Sequence, residues 1–338
     1  MIRTEDAFER TDVGQAAKLR QQTLDALCVH QLFDERKIGQ LLGGMNEETK
    51  SQVLKLKESG PLRLLIQVPE DYVERCQLLE SRFPNFSGFI NEMLLPALAL
   101  SHVRKTGLQI PPVVFVGSPG VGKTMFVSEL AAAFDLDFER LNLETSQSSM
   151  ELVGTSRGWS NAQPGNLFRW LGRVETANGI FVLEELDKSD TQHSRYPVTN
   201  SLLQLLEKTT ARVFADQSLP ELKLDITKIN FLFTANTVEG ISEPILSRVH
   251  VVDIPDLTAE QAKAVALRQY ETMIEELQLP ISAPKLTESG LEVLSRESPR
   301  RQRLLLQLAI GSAVFKKAQE LQIQPTQKVR RIGIGFTC

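Results

Sequence analysis

Gly117, Ser118, Pro119, Gly120, Val121, Gly122, Lys123 and Thr124 fill every fixed position of the pattern G-x-x-x-x-G-K-[ST]. A glycine-rich loop of this kind turns successive backbone N–H groups toward an anion, and a helix starting behind it adds the positive end of its dipole. An ammonium at Lys123 reaches the β- and γ-phosphates of a nucleotide, and the Thr124 hydroxyl reaches Mg²⁺. The competing reading is a chance glycine-rich turn between a strand and a helix. It requires four fixed positions and both flanks to coincide, so the residues point to a nucleoside triphosphate with Mg²⁺.

A second group of chemical residues lies further on. The apolar run Ile180-Phe-Val-Leu183 ends in Glu184-Glu185-Leu186-Asp187-Lys188, and Ile229-Asn-Phe-Leu-Phe233 ends in Thr234-Ala-Asn236. In an open parallel sheet, ligands gather beyond the carboxyl ends of the strands. Carboxylates there can bind Mg²⁺ through water and polarise the water that attacks a γ-phosphate. An amide at Asn236 can orient that water. Taken alone, the acids read as a solvated helix start and Asn236 as a turn residue; a phosphate loop upstream favours the catalytic reading.

These residues require particular elements to hold them. Val113-Val-Phe-Val116 reads as a buried strand before the loop, and Val127, Leu130, Ala131 and Phe134 place one apolar face on a helix after it. Phe138–Leu143 and Val249–Ile254 read as further strands. Residues 145–165 look too polar to be buried, and 212–215 with 222–224 suggest a small hairpin. Thr258 and Gln261 form a capping-box pattern before an amphipathic helix, and Ser298-Pro299 opens another that carries Arg300, Arg301 and Arg303. Cations in a first turn oppose the helix dipole, and an anionic partner and a solvated basic face account for them equally well.

Upstream, apolar spacing predicts helices over 13–33 and 38–56, the second broken at Gly43-Gly44, and another from Tyr72 to Phe83. The expected organisation is a helical region over 1–80, an α/β nucleotide-binding domain over 81–256 and a helical lid with a tail over 257–338.

Composition narrows the class. The chain has 338 residues, 42% hydrophobic and 24% charged, as in ordinary globular proteins. No apolar run reaches the length of a membrane span and the N-terminus has no signal core, so a cytoplasmic protein with no membrane partner is expected. Cys28, Cys76 and Cys338 are widely separated, which indicates neither a disulfide framework nor a zinc site. The formal net charge is −4, yet residues 296–338 hold nine Lys/Arg against two Glu, a net +7 that leaves −11 for the rest. DNA is therefore a possible but unfavoured partner.

Together these motifs resemble an AAA+ ATPase, an α/β fold with a P-loop parallel-sheet core and a C-terminal helical lid. Residues 86–336 are more closely similar to the ATPase module of the Lon protease family. Gly179–Lys188 resembles its Walker B segment, Phe231–Asn236 its sensor 1 strand, Ile241–Val249 its arginine-finger segment, Trp159–Gly165 its pore loop and Val329–Phe336 the close of its lid.

The resemblance implies Lys123 on phosphate, Thr124 and Glu184 around Mg²⁺, Glu185 as the base and Asn236 as sensor 1. It also implies Arg248 as a finger acting on a neighbouring subunit, and Arg300, or else Arg301, as sensor 2. A finger acting in trans implies a homo-oligomer, a ring or spiral of six in this family, remodelling or threading a protein substrate or serving a separate effector. Glu184 replaces the usual Asp, and Trp159-Ser160 replaces a Tyr followed by an aliphatic residue. The family's peptidase domain is expected to be missing. The alternative is a nucleotide-dependent assembly switch that recruits a partner protein or DNA.

Overall fold

The computed structural model describes residues 28–41, 45–144, 148–159, 162–189, 197–278 and 284–324. Residues 13–27 of the helix expected over 13–33, the break at Gly43-Gly44, Ser160 and the stretch 329–336 lie outside these residues. Among the described residues the chain divides into two compact units. The first runs to Ser81 and adds Phe86–Ser118 and Lys123–Ile254; the second holds Arg82–Asn85, Pro119–Gly122 and the chain from Pro255 onward.

In the first unit, β1 (Val29–Gln31) pairs antiparallel with β2 (Leu62–Leu64), and α1 (Glu35–Leu41) and α2 (Glu47–Glu58) lie between them in sequence. The end of the predicted helix over 13–33 is therefore a strand. Its partner lies about thirty residues downstream, and a helical period in the local sequence carries no information about so distant a pairing. α3 (Tyr72–Arg82) follows, and then a helical run that closes as α4 (Leu95–Arg104). That run opens with a short 3₁₀ turn over Pro84–Phe86.

The main sheet is parallel, in the order β4 (Phe138–Asn142), β5 (Ile180–Glu184), β6 (Asn230–Ala235), β3 (Val113–Val116), β7 (His250–Asp253). Its central strands are buried along their length, as the continuous apolar runs require of a sheet covered on both faces. Phe115 on β3 meets Phe86 and Phe126, and those two rings stack at 4.0 Å. On the other side, Leu32, Phe33, Ile38, Val53 and Leu56 share one apolar cluster with Phe181 and Phe231, so the described part of the first eighty residues packs into the sheet's own core.

The lower end of the sheet is tied by two buried amides. Asn178, 0% exposed, accepts from Ile66 N at 2.9 Å and donates to Ile66 O at 2.8 Å and Leu108 O at 2.9 Å. Asn230 Nδ2 donates to Asn178 O at 2.7 Å while its Oδ1 accepts from Ile110 N at 2.7 Å. Asn178→Ala is expected to leave several buried backbone groups unpaired and to cost about 3 kcal/mol, read as a lower urea midpoint at unchanged slope.

Two local expectations change. Residues 145–165 are not wholly exposed: α6 (Ser148–Val153) buries Leu152 and Val153 in the main core, and α7 (Asn166–Leu171) follows. Two well-placed apolar residues are enough to anchor a polar stretch. The predicted hairpin is a single bridge, Phe214 to Leu224, after α8 (Thr199–Leu206) and α9 (Lys208–Ala211).

The second unit is helical. α10 (Ala259–Glu276) starts at a complete capping box, with Thr258 Oγ1 accepting from Gln261 N at 3.2 Å and Gln261 Oε1 accepting from Thr258 N at 2.9 Å. α11 (Glu288–Leu294) and α12 (Pro299–Lys316) pack on it through Ala266, Met273, Leu294, Leu306 and Ile310. Gln302, fully buried, donates to Ala262 O and Leu294 O and so ties the three helices together.

Candidate functional site

The carboxyl ends of β3, β5 and β6 bring three of the predicted residues into one hydrogen-bonded chain. Lys123, at the start of α5 (Lys123–Ala133), is 9% exposed. Its Nζ donates to Gly117 O at 2.6 Å, Ser118 O at 3.2 Å and Asn236 Oδ1 at 3.3 Å. Asn236, just past β6, donates from Nδ2 to Glu185 Oε2 at 3.0 Å. One amide thus joins the ammonium to the carboxylate, which fixes which of its ends is oxygen and which nitrogen. Residues 113 positions apart and 51 positions apart in sequence meet here only because β3, β5 and β6 are neighbours.

Glu185 has φ +60°, a left-handed conformation that costs a side-chain-bearing residue about 1 kcal/mol or more. The turn it makes carries its carboxylate to Asn236. Lys188, one helical turn on, pairs with Glu185 at 3.0 Å and with Glu144 at 3.2 Å. Hydrogen bonds that Lys188 donates to Glu185 and then Glu144 hold its ammonium pKa above the usual lysine range. Asp187 joins the group from beneath, accepting from Asn236 N at 3.2 Å through Oδ2. Neither Asp187 nor Lys188 is distinguished by the sequence motif, although both stand in the acidic strand end that draws attention to Glu185.

Thr124 and Glu184 are half-buried, in the first turn after the loop and at the last position of β5. Among the described residues no three His, Cys, Asp or Glu side chains cluster as a metal site. Mg²⁺ is commonly held by one or two protein oxygens together with substrate phosphates, so this donor set suits it. The ammonium at Lys123, which rests on neutral oxygens at the loop, suits a polyphosphate.

In the second unit, Gly120 has φ +87°, and a Cβ there would lie 3.2 Å from Ser298 Oγ and 3.7 Å from Arg300 Cβ. Of the two candidate arginines, Arg300 is therefore the one whose stem lies against a loop glycine. Arg248 in the first unit donates to Pro244 O at 2.9 Å and Ser247 Oγ at 3.2 Å, with Glu207 at 3.8 Å. It is not part of the Lys123–Asn236–Glu185 chain.

Trp159 is 51% exposed and so is not a core side chain. The segment that carries it closes on Asp216, a 1%-exposed carboxylate. Burial pushes the Asp216 pKa up from 3.8 to about 6, against the opposing effect of hydrogen bonds from Ser218 and Gly165. A carboxyl whose folded pKa is raised contributes most below its unfolded value and loses that contribution as pH rises through the folded one. Relative to Asp216→Asn, the parent should therefore lose about 3 kcal/mol of stability between pH 4 and pH 6. Urea unfolding of both proteins across that range checks the sign.

No helix among the described residues is long and apolar enough to cross a membrane. Compared with known families, residues 113–255 match the AAA family, described as ATPases associated with various cellular activities. The chain is similar to a Lon protease of Heliobacterium modesticaldum, 29% identical over 242 residues, covering 71% of this chain and 29% of that protein. It is similar to Lon protease 1 of Myxococcus xanthus, 33% identical over 220 residues, covering 61% of this chain and 27% of that one. It is also similar to a peroxisomal Lon protease homolog 2 of Zea mays, 31% identical over 243 residues, covering 69% and 27%. The chain thus spans less than a third of the length of these relatives. A parallel sheet carrying a phosphate loop, an acidic strand end and a Thr-Ala-Asn strand end agrees with both matches: residues 113–255 belong to the AAA ATPase family, in a chain whose matched segment is similar to Lon proteases.

Proposed function

We propose that this chain hydrolyses ATP as part of a homo-oligomeric ring or spiral and uses the cycle to remodel or thread a protein substrate. The observation that carries the reading is the hydrogen-bonded chain from Lys123 through Asn236 to Glu185. In the proposed cycle Lys123 exchanges loop oxygens for those of the β- and γ-phosphates. Asn236 and Glu185 hold the attacking water, and the Glu185 carboxylate takes its proton. Thr124 and Glu184 would hold Mg²⁺, which would neutralise charge on the phosphates. Arg300 is assigned to the nucleotide of its own subunit and Arg248 to that of a neighbour. Exposed Trp159 is assigned to the polypeptide.

The test is ATPase rate per subunit against protein concentration, with mass measured in ATP and in ADP. Specific activity should rise with concentration as a multi-subunit species forms in ATP. A monomer that binds ATP and turns over at no concentration would sink the motor and leave the nucleotide-dependent assembly switch.

A further inference from the structure

The segment from Gly154 to Gly165 carries Trp159 outward, and its two ends meet over a single buried carboxylate. Asp216 Oδ2 accepts from Gly165 N at 2.8 Å, and Asp216 Oδ1 accepts from Ser218 N at 2.9 Å and Ser218 Oγ at 2.6 Å. Gly154, at φ +83°, lies so close that a Cβ there would be 2.1 Å from Asp216 Oδ1. A Cβ on Gly165 would be 2.4 Å from both Gly154 N and Leu152 O. The seam continues where Gln217 N donates to Val153 O at 2.8 Å.

Above this seam the segment has a narrow neck. Thr155 N donates to Gln163 O at 3.0 Å, and Thr155 Oγ1 accepts from Gln163 N at 2.7 Å. Trp159 O accepts from Ala162 N at 3.1 Å, and Arg157 pairs with Glu221 at 2.6 Å. Exposed aromatic, paired neck and buried clasp thus lie together among the described residues 154–159 and 162–165. An ionised carboxylate in an apolar surround is a poor source of stability, because desolvation offsets its hydrogen bonds. What it fixes is direction, since two of its donors and the glycine it touches leave one arrangement for the neck.

We propose that Asp216 is a positioning residue: it clasps both ends of the Gly154–Gly165 segment and so sets the direction in which Trp159 is presented to a polypeptide. This rests on the assignment of Trp159 given under the proposed function. Asp216→Asn keeps the size but puts an amide N–H₂ where one set of donors must be accepted, so the neck should re-aim.

The direct readout is acrylamide quenching of Trp159 in the full chain. The chain has two tryptophans, and Trp170 is 3% exposed, so the Trp159 signal is taken as the difference between each protein and its Trp159→Phe counterpart. Asp216→Asn should change the Trp159 quenching constant by about twofold or more and raise the casein concentration giving half-maximal ATPase stimulation by about tenfold, while the KM for ATP moves less than about twofold. Ser218→Ala, which removes a single donor, should give smaller shifts in the same direction, and it decides the matter if Asp216→Asn does not fold. Parental quenching and a parental casein half-point in whichever of these variants folds overturn the proposal. Casein stimulation that survives Trp159→Ala overturns the polypeptide assignment and the proposal's substrate arm with it. Unchanged quenching in Asp216→Asn overturns the clasp alone.

Discussion

Glu185→Gln should bind ATP with close to parental affinity and hydrolyse it about a hundredfold to ten-thousandfold more slowly, the range associated with loss of a positioned general base. The amide keeps the size of the side chain and a hydrogen bond with Asn236 Nδ2, which meets Glu185 Oε2 at 3.0 Å in the parent. The Asn236 link to Lys123 is therefore retained, and only the capacity to take a proton from water is removed. Single-turnover hydrolysis and retention of a fluorescent ATP analogue check the two halves separately. Lys123→Ala is the necessary contrast. It removes the ammonium that this chain of hydrogen bonds holds against the loop, and it should lose ATP binding outright. Equal turnover by Glu185→Gln and the parent would refute the base assignment, whereas weak ATP binding by Glu185→Gln would assign the carboxylate to nucleotide affinity.

Arg248→Ala should reduce turnover by about a thousandfold or more at every protein concentration, the magnitude typical of an arginine finger. Its contacts in its own unit are two neutral oxygens and a 3.8 Å approach to Glu207, with both side chains of that pair well exposed. Exposed pairs of this kind contribute roughly 0–1 kcal/mol, so little holds the guanidinium back from a stronger anion. A mixing experiment tests whether it acts in trans. Arg248→Ala supplies intact nucleotide sites without a finger, and Glu185→Gln supplies fingers without a base. In a head-to-tail ring of equal parts, about a quarter of the interfaces pair a good site with a good finger, so an equal mixture should recover about a quarter of parental activity. A mixture as inactive as its parts places Arg248 in the site of its own subunit.

The strands Val113–Val116, Ile180–Glu184 and Asn230–Ala235 fall on apolar runs that end in polar residues, and each is legible because burial on both faces needs an unbroken apolar stretch. The loop from Gly117 to Thr124 is legible for a similar reason: its chemistry is carried by neighbouring residues, so spacing alone describes it. By contrast, β1 misreads as the end of a helix because the strand it pairs with, β2, lies beyond two intervening helices. Leu152 and Val153 misread as part of an exposed insert because the core that receives them is built from β5, α8 and the early chain.

The amino-acid order by itself determined the phosphate loop, the acidic end of β5, the amide end of β6 and the capping box at Thr258, since each is a property of residues within a few positions of one another. Tertiary structure alone decided that Asn236 stands between Lys123 and Glu185, that Trp159 is exposed, and that Asp216 closes the segment bearing it. Those outcomes depend on strand order and on which surfaces are withdrawn from water, and a desolvated carboxylate or a shared amide has no local signature in a sequence.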